Sequence, residues 1–307
     1  MSTNKTVVLL GGRTSLYRNL GGKTESISCN VAVGDIYPAL SNLGAAVLNN
    51  QLYICGGRRL GASNGTTKCL KNDRENWVKA PSMMVPRFSH TMTSVGSYIL
   101  VTGGFMESTN INFDFAATNT VEIFDGATWT KLPYRLSERR RGHCAVPISE
   151  TEVLVVGGSF SPFRSLVVEK YNIFTGMVAR IPSLSLNRHG HACALLNGEV
   201  YISGGRQATS EMEYVDSVEV YDYEVLDSVE VLNLETLKWR NISAMNVPRV
   251  YHTMENVNGE LTVFGGSTDI YEKSPKNMLE KFIGNTWQLE EMKYFFSEHA
   301  SVVLPCE

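Results

Sequence analysis

Arginine side chains recur at two fixed places relative to six Gly-Gly doublets. Four arginines lie 16 residues before the first glycine of a doublet, and three directly follow a doublet. The planar guanidinium group binds carboxylates and phosphates through paired hydrogen bonds. If both sets lie on one surface, they form a rim that binds an anionic ligand. The candidate rim residues are Arg87, Arg141, Arg188 and Arg249 before the doublets, and Arg13, Arg58 and Arg206 after them.

Histidine also recurs, and several imidazoles together can bind a metal ion. Each of five histidines stands at the start of a different sequence unit, so the five would spread around a ring instead of converging. No His-x-Glu or paired-carboxylate spacing accompanies them, and no cysteine has a neighbouring histidine and acid that would mark a nucleophile. We predict structural hydrogen bonding for these histidines, with no metal, no cofactor and no catalytic set. They are His90, His143, His191, His252 and His299.

The elements that carry these residues form an internal repeat. A short apolar run ends in Gly-Gly six times, at Gly11, Gly56, Gly103, Gly157, Gly204 and Gly265. The spacings are 45, 47, 54, 47 and 61 residues. All four tryptophans follow in register, at Trp77, Trp129, Trp239 and Trp287, and Met177 takes that place in the fourth unit. The recurring histidines come 12 to 14 residues later.

Each unit contains four short runs of β-forming residues separated by glycine and polar turns, which predicts four strands. One four-stranded sheet cannot bury both faces, so six sheets must pack together, and radial closure leaves few open edges. Gly-Gly, a strand with glutamate, tryptophan and Arg-x-x-His together resemble the Kelch repeat over essentially the whole chain. That resemblance implies an all-β, six-bladed β-propeller of four-stranded antiparallel blades.

One domain, residues 1–307, is expected, and its two ends complete one blade. The chain begins with a second strand, Val7 to Leu10, and ends with a first strand, His299 to Leu304. These two should pair, so that residues 1–38 and 299–307 share the closing blade. This first unit is the most divergent, because it has no tryptophan and Leu40 and Leu43 replace the arginine and the histidine.

Two interpretations of the arginines before the doublets stay open. In an antiparallel blade, the loop after Gly-Gly and the loop entering the first strand lie on the same face, so both arginine sets would surround the central opening. Alternatively, these arginines brace the blades by binding buried carbonyls or the repeat glutamates. Both can hold for different blades.

The loop of the fifth unit contains an insertion. The segment DSVEV occurs at Asp216 and again at Asp227, so the first copy lies outside the blade. The insertion is acidic and rich in tyrosine, which buries area at low entropic cost. It either contacts a partner or is a solvated hairpin left by a local duplication. The candidate contact residues are Tyr214, Tyr221 and Tyr223.

Composition narrows the class of protein. Hydrophobic residues make up 43% and charged residues 19%, which is typical of a globular chain. No apolar run is long enough for a membrane span, and a net charge of −3 argues against nucleic-acid binding. Six cysteines without a CxxC pair suggest reduced thiols and a cytoplasmic protein. Cys55, Cys144 and Cys193 are expected to be small buried hydrophobic residues.

Two functions remain. The first is a monomeric, non-enzymatic interaction module, an adaptor or scaffold that binds a protein or peptide with an acidic motif on the arginine-rich face. The alternative is a small-molecule enzyme similar to the Kelch sugar-acid epimerases, with an arginine-lined central pocket. The first is preferred because no convergent catalytic set can be named.

Overall fold

The computed structural model describes residues 5–12, 24–26, 33, 35–36, 40–59, 62–106, 117–160, 163–208, 223–268, 277–293 and 296–306. Within these residues, five sheets have four antiparallel strands and a sixth has three, and two short hairpins lie beside them. No helix of the described chain has the length and apolar character needed to cross a membrane.

The strands are short because glycine, asparagine and polar turns interrupt the apolar runs. In chain order they are β1 (Lys5–Leu10), β2 (Thr24–Ser26), β3 (Gly44–Leu48), β4 (Gln51–Cys55), β5 (Cys69–Asp73), β6 (Asn76–Ala80), β7 (Thr91–Val95), β8 (Tyr98–Thr102), β9 (Val121–Phe124), β10 (Trp129–Lys131), β11 (Cys144–Pro147), β12 (Glu152–Val156), β13 (Ser159–Phe160), β14 (Phe163–Arg164), β15 (Val168–Asn172), β16 (Val178–Ile181), β17 (Ala192–Leu196), β18 (Glu199–Ser203), β19 (Arg206–Ala208), β20 (Tyr223–Val225), β21 (Val229–Asn233), β22 (Lys238–Ile242), β23 (Thr253–Val257), β24 (Glu260–Phe264), β25 (Met278–Ile283), β26 (Thr286–Glu291) and β27 (Ala300–Pro305).

The sheets surround a common axis as the blades of a propeller. Blade 1 is β3–β6, blade 2 is β7–β10, blade 3 is β11, β12, β15 and β16, blade 4 is β17, β18, β21 and β22, and blade 5 is β23–β26. The closing sheet is β27, β1 and β2. The first strands contact one another in a complete circuit, β3–β7–β11–β17–β23–β27–β3. The all-β propeller of four-stranded antiparallel blades is therefore confirmed.

The pairing of the two chain ends is also confirmed. Strand β1 pairs with β27 over six residue pairs, from Lys5–Pro305 to Leu10–Ala300. On its other side, β1 pairs with β2. This pairing joins the first described strand to the last one. The circle of sheets therefore has no open edge between β1 and β27.

Apolar side chains fill the gaps between neighbouring blades. Leu154 and Val156 of blade 3 pack with Val200 and Ile202 of blade 4, and all four are fully buried. The tryptophans bridge the same gaps, as their size and N–H group suggested. Three indole nitrogens donate to a carbonyl at the end of the preceding blade: Trp129 to Pro81, Trp239 to Pro182 and Trp287 to Ser243, at 2.9, 2.7 and 3.0 Å.

A ring of backbone hydrogen bonds surrounds the axis where the chain enters each first strand. One residue per sheet donates its N–H to the carbonyl of the equivalent residue in the preceding sheet, at 2.8 to 3.2 Å. All six residues have a left-handed backbone, with φ between 52° and 67°, a conformation that favours glycine. This left-handed backbone explains why two of the six ring residues are glycines. Its members are Asn42, Ser89, Gly142, Gly190, Tyr251 and Glu298.

The expectation of reduced cysteines is wrong for this structure. Cys55 and Cys69 form a disulfide between adjacent strands of blade 1. Cys144 and Cys193 form a second disulfide between the first strands of blades 3 and 4. Neither pair is close in sequence, with separations of 14 and 49 residues, so spacing did not reveal them. Disulfides persist in oxidising compartments. They weigh against the predicted cytoplasmic location, which stays a prediction.

Candidate functional site on the Gly-Gly face

The candidate site lies on the face where second strands end in Gly-Gly and where the chain enters each first strand. After five of the doublets, the next residue forms a bridge with a residue that directly precedes a member of the hydrogen-bonded ring. We call this surface the Gly-Gly face. Its bridged pairs are Ser41–Arg58, Phe88–Phe105, Arg141–Ser159, His189–Arg206 and Val250–Ser267.

Three predicted rim arginines point away from this surface into their blades. Arg87, Arg188 and Arg249 are 0, 0 and 1% exposed. Each guanidinium binds a glutamate of the third strand of its own blade, at 2.6 to 3.0 Å, and donates to the carbonyl of the first doublet glycine. The partners are Glu122, Glu230 and Glu280. This is the geometry of the bracing interpretation, and ligand binding by these three side chains stays an untested prediction.

The glutamates also hold the segment that connects one blade to the next. Glu122 accepts the backbone N–H groups of Met84 and Val85, at 2.6 and 3.1 Å. Burial lowers the pKa of the Arg87 guanidinium, and the charge of Glu122 opposes that shift. Because the charges are paired and hydrogen-bonded, the buried ions are tolerated.

In blade 3 the bracing residue is Arg140, and the choice of Arg141 for this position is corrected. Arg140 binds Glu169 at 2.9 Å and the Gly157 carbonyl at 2.9 Å, and it is fully buried. It lies 17 residues before Gly157, whereas the other bracing arginines lie 16 before their doublets. The Arg-x-x-His spacing would have identified it, because Arg140 stands three residues before His143.

Three other predicted arginines remain partly exposed on the Gly-Gly face, and each is stacked on an aromatic ring. The guanidinium carbons of Arg58 and Arg141 lie 4.8 Å from the ring centres of Phe88 and Phe105. The guanidinium carbon of Arg206 lies 5.6 Å from the ring centre of Tyr251. Stacking on a ring restrains the guanidinium through its flat face. The sequence analysis did not identify these aromatic partners, and Arg13 lies outside the described residues.

The histidines link neighbouring sheets, which agrees with their structural interpretation. The Nε2 atom of His143 lies 2.9 Å from Thr102 Oγ1 of blade 2, and that of His252 lies 2.9 Å from Ser203 Oγ of blade 4. Burial lowers the pKa of His191 and of His299 to about 3, so these imidazoles are neutral. Within the described residues, no three His, Cys, Asp or Glu side chains are arranged as a metal site.

The tyrosine-rich insertion is described only at its base. Tyr223 lies in β20, where its backbone pairs with Ala208 of β19. Tyr214 and Tyr221 lie outside the described residues. The proposed contact role of this insertion therefore stays a prediction.

Sequence comparisons find relatives that share these repeats. The Attractin/LZTR1 beta-propeller family model matches residues 52–283. Kelch-like protein 15 of Mus musculus is 27% identical over 214 residues, which are 66% of this chain and 33% of that protein. Kelch-like protein 36 of Rattus norvegicus is 26% identical over 203 residues, which are 66% of this chain and 31% of that protein. Kelch repeat protein C2 of Vaccinia virus (strain Western Reserve) is 29% identical over 91 residues, which are 30% of this chain and 17% of that protein. The chain spans about a third of the two Kelch-like proteins.

A solved structure, described as "Structure of YjhT", has a similar fold. It superposes with a TM-score of 0.73 and 14% sequence identity, over 95% of each chain. At this identity the likeness shows the fold alone.

Proposed function

The chain belongs to the Kelch-repeat β-propeller family, and we propose that it is a non-enzymatic interaction module that binds an acidic peptide segment of a partner protein on the Gly-Gly face. The observation that supports this function is the set of three partly exposed, ring-stacked arginines, Arg58, Arg141 and Arg206. They come from three different blades, and they surround the hydrogen-bonded ring at the axis.

The chemistry of these residues suits a carboxylate-bearing peptide. A guanidinium whose side chain is already restrained loses less conformational freedom when it binds, and its N–H groups match the two oxygens of a carboxylate. Arginine beside aromatic residues is also the composition enriched in protein interfaces. Phe88 and Phe105, which support two of the arginines, are themselves buried and in edge-to-face contact. The contact surface is therefore built on fixed groups.

The closing sheet is the sixth blade in this proposal. Its three described strands occupy one of six places in the circuit of first strands. We further propose that the propeller acts as a monomer and that its partner is a protein, not a nucleic acid, since the net charge is −3.

The test is a titration by fluorescence anisotropy of a labelled peptide that alternates glutamate and leucine, with a glutamine-for-glutamate peptide as its uncharged match. Arg58→Ala, Arg141→Ala and Arg206→Ala should each cost about 1–3 kcal/mol of binding free energy. Affinity should fall as salt is raised, because partly exposed charges are screened.

Arg180→Ala is the matched control, because Arg180 is 67% exposed and lies on an outer strand of blade 3. It should leave the affinity unchanged. Equal binding of the charged and uncharged peptides, or an equal loss in the control variant, would refute the proposal.

A further inference from the structure

A cavity lies along the propeller axis, on the side of the hydrogen-bonded ring that is away from the Gly-Gly face. It has a volume of about 360 Å³ and is lined by residues from the first strands of all six sheets. Its wall is largely apolar and includes Val47, Val146, Leu195, Met254 and Val303. Cavities of this size that combine apolar walls with a few polar groups are typical of small-molecule sites.

Most polar side chains of this wall are occupied in joining one first strand to the next. Ser94 Oγ donates to the Val47 carbonyl at 2.7 Å, and Asn256 Nδ2 donates to the Leu195 carbonyl at 3.1 Å. The disulfide Cys144–Cys193 joins blades 3 and 4 at the same wall. These groups are therefore committed to the protein, and they offer little to a ligand.

Glu255 is the exception. Its carboxylate faces the cavity from β23, and among the described residues it is the only charged side chain in the lining. Ser301 Oγ donates to Glu255 Oε1 at 2.6 Å. Among the described residues, no lysine, arginine or histidine forms an ion pair with it; the described ion pairs involve other residues. Burial raises the pKa of Glu255 to about 7, which reflects how poorly the wall solvates a charge.

A partly buried carboxylate with one hydroxyl partner is poorly solvated by this wall, and either a proton or a cation relieves that cost. Four buried glutamates of third strands, by contrast, each have an arginine partner, as in Arg140–Glu169. Among the described residues, no such partner lines the cavity, and Glu255 borders its open volume. A ligand that carries its own positive charge fits that volume, and an apolar body would contact the remaining wall.

We propose that the axial cavity binds a small amphipathic amine, whose ammonium group pairs with Glu255 and whose hydrocarbon part contacts Val47, Val146 and Leu195. The ammonium donates to the carboxylate and to the lone pairs of Ser301 Oγ. An anion is disfavoured because the only charge in the lining is negative. A metal ion is disfavoured because one carboxylate and one hydroxyl are too few ligands. This site is independent of the acidic-peptide site, which lies beyond the hydrogen-bonded ring.

The test uses n-butylammonium, with 1-butanol and butyrate as neutral and anionic probes of similar size. Binding is followed by NMR of ¹³C-labelled methionine methyl groups, because Met92 and Met254 line the cavity while Met177 is 68% exposed on an outer turn. We expect saturable shifts of Met92 and Met254 with n-butylammonium, no shift of Met177, and no saturation with butyrate or butanol at the same concentrations.

Glu255→Gln should weaken n-butylammonium binding by about tenfold to a hundredfold, the usual effect of losing a charged hydrogen-bond partner. Glu260→Gln, at an exposed position of the same blade, is the control for net charge and should bind as wild type does. Melting curves of both variants verify folding, and removal of a partly buried charge without an arginine or lysine partner should not destabilise the protein. Normal binding by the Glu255→Gln protein, equal binding of butanol, or no saturable binding to wild type would overturn the proposal.

Discussion

Adjacent arginines of blade 3 allow bracing and binding to be separated by single substitutions. Arg140 is fully buried against Glu169, whereas Arg141 is partly exposed and stacked on Phe105. We expect Arg140→Ala to destabilise the protein strongly and Arg141→Ala to leave the fold almost unchanged. The two residues are of the same type and adjacent in sequence, so each variant is a control for the other.

The magnitude follows from what the substitution leaves behind. Without Arg140, Glu169 stays buried with one remaining bond, from the Ser137 N–H at 3.1 Å, and the Gly157 carbonyl loses a donor at 2.9 Å. Breaking a buried ion pair by removing one partner costs about 3–5 kcal/mol. For a chain of 307 residues, the usual unfolding entropy per residue converts this loss to a fall in melting temperature of about 5–8 °C. A stacked, partly exposed arginine contributes about 0.5–1 kcal/mol, or about 1–2 °C.

The assay is thermal unfolding followed by circular dichroism, together with urea unfolding at one temperature. Arg140→Ala combined with Glu169→Gln should be more stable than Arg140→Ala alone, because the uncharged amide removes the unpaired charge and still accepts from Ser137. Equal melting temperatures for Arg140→Ala and Arg141→Ala, or no recovery in the double variant, would show that the buried pair does not act as described.

Three further outcomes are expected. Trp287→Ala should lower the free energy of unfolding, measured in urea, by about 3–5 kcal/mol. The reason is that the indole, which is 6% exposed, fills the gap to blade 4, and its loss leaves a cavity. A loss below about 1 kcal/mol would contradict this packing. Replacing Cys144 and Cys193 by serine should lower stability by about 4 kcal/mol, since the bond closes a loop of 49 residues. A thiol reductant should then destabilise this variant less than it destabilises the wild type, because the contribution of Cys144–Cys193 is already absent while Cys55–Cys69, with its shorter loop of 14 residues, can still be reduced. Burial raises the pKa of Glu255 to about 7, above its unfolded value of 4.5, so the folded state binds the proton more tightly. The stability that this group contributes, about 1–3 kcal/mol, is present below about pH 4.5 and is lost as the pH rises to about 7. Glu255→Gln should flatten this dependence of stability on pH. An unchanged pH profile in the variant would refute the assignment to Glu255.

The repeat alone determined the architecture. Gly-Gly, tryptophan and histidine recur because each blade needs the same turn, the same filler between blades and the same link to its neighbour, so local residue types specify them. The pairing of β1 with β27 followed from the same pattern, since the chain begins within one unit and ends at the start of it. Three of the four arginines of the Arg-x-x-His motif were recognised, and in blade 3 Arg141 was chosen in place of Arg140. Their orientation was left open between a surface rim and a buried brace.

Tertiary structure decided the features that depend on where distant residues meet. Whether an arginine is buried depends on the glutamate facing it from the third strand, which is why Arg140 rather than Arg141 braces blade 3. The Cys144–Cys193 bond, the stacking of Arg206 on Tyr251 and the carboxylate of Glu255 in the axial cavity each join different blades. Periodicity in a sequence records how a chain alternates between core and solvent, but it does not record which side chains converge at the axis of a closed ring.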